Sequence, residues 1–138
     1  MRTTISLQKR FLAQIKRKVA LGQMKHTTFF DNSGDLVLND IQEYNLMFCN
    51  LPNGNTLLVT THKWLIRFRE NEVSVPNSEI TGFTEDSYET DLKGEFNEII
   101  NISLAAKDNL EYPFDFESGS ATIALMYCLS CIIDFTKN

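Results

Sequence analysis

Leu57–Phe68, LLVTTHKWLIRF, holds two runs rich in apolar residues on either side of a polar Thr-His-Lys, and the second run contains the only tryptophan, Trp64. The pattern predicts a reverse turn between two strands. In KWLIRFR, Trp64, Ile66 and Phe68 alternate with Leu65, Arg67 and Arg69, the period of two that sends one set inward. A lone tryptophan so placed fills a core or its rim, or else anchors a binding surface.

Working outward, EYNLMFCNL and NTLLVTTH flank Pro-Asn-Gly, and Asn53-Gly54 supplies the positive φ angles of a tight hairpin. Downstream come EVSV, a break at Pro76, SEITGFTEDSY and FNEIINISLAAKDNLEYPFDFES, the last read as a hairpin turning at Lys107–Asn109. Upstream, TTFFDNSGDLVLND carries a turn signal between two strand-like runs. The count is about seven strands, antiparallel because the links are too short for helical crossovers. Their inward members are predicted to be Leu58, Trp64, Ile66, Phe68, Ile80, Ile100, Ile102 and Phe114.

Helical periodicity brackets the strands. From Ile5 to about Met24, Phe11, Leu12, Ile15 and Val19 share one face, with Arg10 and Arg17 on another. Residues 1–25 thus read as a basic amphipathic helix and 26–138 as the body. Near the end, Ser120 is a candidate N-cap for ATIALMYCLSCIIDF. Thr122, Ser130 and Asp134 cover only about 120° of that helix, so its apolar arc needs more than one partner. The N-terminal helix is one candidate, through Phe11, Leu12, Ile15 and Val19. A second copy of the chain, meeting Leu125, Leu129 and Ile132 in a homodimer, is another.

Charge is unevenly placed. Residues 1–26 hold seven bases and no acid, whereas the remainder sets six bases against 18 acids, a net of −12. An acidic body repels nucleic acid and anionic membranes, so only the N-terminal helix is suited to either. Three cysteines argue against a disulfide framework and for a reducing compartment. No secretory signal is visible, and the longest apolar run, Ala121–Ile133, falls short of the roughly 20 residues a span requires. The expected location is cytoplasmic.

The order of elements resembles the pleckstrin-homology (PH)-like superfamily, closest to its bacterial PH and GRAM-type domains. The resemblance rests on NTLLVTTHKWLIRF, EVSVPNSEITGF and EYPFDFESGSATIALMYCL, which are similar to that family's strand–turn–strand, next strand and final strand-to-helix steps. It implies an α+β fold, a bent antiparallel barrel of about seven strands capped by the C-terminal helix. The basic helix preceding it is not part of the family pattern. Lipid-binding members gather bases between early strands; here DNSGD and LPNGN offer none, which argues against phosphoinositide.

Catalytic residues are hard to assemble. His26 and His62 lack a nucleophile motif nearby, and Ser118-Gly-Ser lacks the flanking glycines of a nucleophile elbow. Cys128 and Cys131 form one C-x-x-C inside an apolar helix, with no second pair to complete a zinc site. Glu85, Asp86, Glu89, Asp91, Glu95 and Glu98 lack the order of a calcium loop. The expectation is no catalytic residue, no metal and no cofactor. What remains is a module that binds an unidentified protein, with the Glu85–Glu98 cluster steering a basic partner or the apolar helix docking. The alternative is a small acidic immunity- or antitoxin-like inhibitor of a basic toxin, and a third is a peripheral membrane module attached through its first helix.

Overall fold

The computed structural model describes residues 3–18, 24–30, 43–83 and 99–137. Helix α1 is Thr4–Lys18. It starts where Thr3 Oγ1 accepts the Ser6 N–H and Ser6 Oγ accepts the Thr3 N–H, both at 3.2 Å, a reciprocal cap that satisfies two otherwise orphaned donors. The helix is shorter than its periodicity predicts, for Met24 lies outside it. Its buried stripe is Leu7, Phe11 and Ile15, spaced by four, with Leu12 at the margin. Val19 lies outside the described residues.

Eight strands follow among the described residues. Five form an antiparallel sheet in chain order: β1 (Thr27–Phe29), β2 (Asn45–Asn50), β3 (Thr56–Thr60), β4 (Lys63–Phe68) and β5 (Asn71–Pro76). Three form a second: β6 (Ile80–Phe83), β7 (Ile99–Ala106) and β8 (Leu110–Glu117). Among the described residues the predicted single barrel is therefore corrected to two antiparallel sheets without closure. They meet where β8 crosses β3 and β4.

Local chemistry accounts for several of the turns. Gly54 adopts φ 88° in the β2–β3 loop, where the Leu51 N–H donates to Asn55 O at 3.1 Å. Thr60 Oγ1 closes the β3–β4 turn by accepting the His62 and Lys63 N–H groups at 3.1 and 3.0 Å. Between β4 and β5, Arg69 and Glu70 both take positive φ, 51° and 68°, where an Asn-Gly pair is usual. Asn55 Oδ1 offsets part of that strain by accepting the Arg69 N–H at 3.1 Å. The β7–β8 hairpin reverses at Lys107–Asn109, as its sequence predicts.

Register decides the core. Phe29, Met47, Val59, Trp64 and Val75 form one row across the first sheet, and Thr27, Cys49, Leu57, Ile66 and Val73 form another on the same face. Of these ten, Met47, Cys49, Leu57, Val59, Trp64, Ile66 and Val75 are buried apolar side chains. Leu58 therefore does not point inward: it pairs with Leu65 on the opposite face, one residue out of phase with Trp64. Phe68 and Ile100 are only partly buried, at the ends of their strands, while Ile80, Ile102 and Phe114 join the core. Trp64 packs edge-on against Phe83 and Phe114, each with centroids 6.1 Å away.

Helix α2 is Ser120–Thr136. Gly119, not Ser120, is its N-cap, with φ 79° where β8 turns into the helix, and its carbonyl accepts the Thr122 N–H at 3.0 Å. A side chain would oppose that φ. The helix packs against β6, β8, the short 3₁₀ turn Asn77–Glu79 and α1. Helix α1 runs antiparallel beside it, with Arg10 paired to Asp134 and Cys131 Sγ 3.5 Å from Gln14 Oε1.

Candidate functional site

The outer face of the five-stranded sheet carries the row Thr28, Phe48, Leu58, Leu65 and Ser74, flanked by Thr56, Arg67 and Glu72. Three adjacent strands thus present an aromatic and two leucines to one side. Phe48 and Leu58 are half-buried and Leu65 is 37% exposed, and they line a groove of about 440 Å³. Arg67 and Glu72 are cross-strand partners at its border, offering a planar donor and an acceptor side by side.

Arg67 also borders a polar cleft of about 530 Å³ formed with Asn53, Asn55, Arg69 and Glu70. Its Asn53 and Asn55 are tied to β8. Asp115 accepts the side-chain amides of Asn55 at 2.8 Å, Asn101 at 3.1 Å and Asn53 at 3.2 Å. Those bonds hold the β2–β3 loop against β8, and Arg67 lines both groove and cleft.

The acidic cluster Glu85, Asp86, Glu89, Asp91, Glu95 and Glu98 lies outside the described residues. Of the predicted helix-packing residues, Phe11, Ile15, Leu125 and Ile132 are all 0% exposed and Leu129 is 8% exposed, inside one continuous core with the strands. The contact of α1 with α2 is made within a single chain. The outward side of α2 carries Ile123 and Met126 instead, 49% and 46% exposed.

Two carboxylates, Glu43 and Glu117, are buried. Glu43 accepts Thr60 Oγ1 at 2.5 Å and lies 3.7 Å from Lys63 Nζ. Glu117 accepts Lys25 N–H at 2.7 Å, Thr27 Oγ1 at 2.8 Å and His26 N–H at 3.0 Å. Both organise backbone: Glu43 steadies the β3–β4 turn and Glu117 fixes the entry to β1. The signal available for Glu43 was the Thr-Thr turn, whose hydroxyls need an acceptor. Glu117 had no such signal, because its donors lie about ninety residues earlier.

His62 Nδ1 lies 3.1 Å from Thr61 Oγ1 in the β3–β4 turn. No three His, Cys, Asp or Glu side chains gather as metal ligands among the described residues. All three cysteines are free and buried. Burial pushes the Cys128 thiol well up and raises Cys49 and Cys131, the last partly opposed by the positive Arg10. The thiols are thus protonated and shielded, opposite to a reactive cysteine. A disulfide-exchange reagent is expected to modify none of them in the native protein and all three in denaturant. Because folding raises these pKa values, the stability they contribute is complete below the ordinary thiol value of about 8.5 and is lost as pH rises through the folded values. Melting temperature should fall on the alkaline side, and native-state labelling at neutral pH would contradict the assignment.

No helix among the described residues is long and apolar enough to cross a membrane. The chain matches no protein-family model, no curated protein and no solved structure.

Proposed function

We infer that this chain is a non-enzymatic binding module with a PH-like arrangement, and that it takes a protein partner on the outer face of its five-stranded sheet. The fold reading is supported by two antiparallel sheets in contact through β8 and a helix following the last strand. The observation that carries the binding reading is the Phe48–Leu58–Leu65 row in a groove bordered by Arg67 and Glu72. A row of apolar side chains with a charged border is the anatomy of an interface core and rim. The fitting partner segment brings one or two large apolar side chains and a carboxylate for Arg67. The buried, protonated thiols speak against nucleophilic catalysis at the cysteines.

Replacing Leu65 with a photo-crosslinking amino acid and irradiating native cells tests this directly. A discrete protein adduct is expected, lost at least tenfold when Arg67→Glu is added. Leu65 and Arg67 are both exposed, so folding should survive. A Leu65 probe that forms no adduct while the same probe at Met126 does would place the interface elsewhere.

A further inference from the structure

Helix α1 contains no acidic residue, and its exposed side chains Ser6, Lys9, Arg10, Ala13, Lys16 and Arg17 fall within an arc of about 120°. Its opposite side, Leu7, Phe11 and Ile15, is committed to the core at 2%, 0% and 0% exposure. The helix therefore cannot turn its apolar stripe outward without unfolding the core. Its cationic side is permanently presented, and its apolar side is permanently used.

The contact of Arg10 with Asp134 and of Gln14 with Cys131 sets the edge of this arc against α2. The next exposed positions on α2 are Ile123, Met126 and Ser130, with Ile133 half-buried beside them. Asp134 is the only acid of α2, and it is already tied to Arg10. The two helices thus form one surface, basic on α1 and apolar on α2. The rest of the chain is charged the other way, with a net of −12 beyond residue 26 against +7 before it.

We propose that this two-helix surface docks on bilayers containing anionic phospholipid. Charge attracts the α1 side, which brings the molecule to the lipid with both helices foremost. Ile123 and Met126 then reach the boundary between headgroups and acyl chains, supplying the second, apolar contribution that stable peripheral attachment requires. A nucleic-acid backbone would match the bases but offers nothing to the two apolar side chains. Attachment is reversible and salt-sensitive, because most of it is Coulombic. It leaves the outer sheet face free, and it stands or falls independently of the partner proposed there.

Flotation of the full chain with phosphatidylcholine vesicles, with and without phosphatidylglycerol, provides the test. Binding is expected only with phosphatidylglycerol, and it should weaken steeply as salt is raised. Lys9→Glu/Lys16→Glu/Arg17→Glu should weaken it by on the order of 100-fold, and Ile123→Ser/Met126→Ser by several-fold. All five positions are exposed, so thermal melts of both variants should match the wild type. Equal binding to neutral vesicles, indifference to the triple reversal, or tighter binding to a DNA duplex than to phosphatidylglycerol vesicles would each overturn the proposal.

Discussion

Trp64→Ala is expected to cost about 3–5 kcal/mol, a large share of the roughly 5–15 kcal/mol that holds a domain of this size folded. The side chain is 0% exposed, and its edge-on contacts with Phe83 and Phe114 join the first sheet to the second. Truncation leaves a cavity at that junction, where neither sheet can close on the other without losing its own register. The indole Nε1 has no hydrogen-bond partner among the described residues, so Trp64→Phe forfeits volume but no bond. Urea titration of both variants checks this. Trp64→Ala should shift the midpoint far more than Trp64→Phe, and a Trp64→Ala midpoint close to wild type would mean that the tryptophan does not join the sheets.

Removing the Glu117 side chain ranks second. Glu117→Ala strips the acceptor from two main-chain N–H groups and the Thr27 hydroxyl, in a place where Glu117 itself is only 6% exposed. Donors left unsatisfied cost about 1–3 kcal/mol each; partial rehydration of this segment makes a total of about 3 kcal/mol the expected loss. Glu117→Gln retains one acceptor oxygen but turns an NH₂ group toward a donor, so it should lie between Ala and wild type. Hydrogen exchange gives the local readout: the amides of Lys25 and His26 should lose protection in Glu117→Ala. Unchanged protection at both, with unchanged stability, would show that β1 is held by its strand pairing alone.

Much of the secondary structure was legible because its causes are local. Asn53-Gly54 and Lys107–Asn109 mark reversals through the φ angles of a few residues, and the helical spacing of Phe11, Leu12 and Ile15 needs only the helix itself. The groove was harder to see. KWLIRF sends Trp64, Ile66 and Phe68 inward by its alternation, but TLLVT is apolar at both parities, so the sequence holds Leu57 and Leu58 equally ready to face inward; the missing fact was which neighbour each would meet. An apolar residue at both parities of one strand was the available hint that its outer face is also sticky.

By itself the sequence determined two helices around antiparallel strands, the positions of several turns and the separation of charge between the first 26 residues and the rest. Only the tertiary structure decided that Leu57 and Val59 face inward rather than Leu58, that the strands divide into two sheets, and that α1 closes over α2 of its own chain. It also decided that Glu43 and Glu117 are interior. The physical reason is range. Turn geometry and periodicity act over a few bonds, whereas register and the burial of a carboxylate depend on partners brought from distant parts of the chain, such as the Lys25–Thr27 donors that meet Glu117.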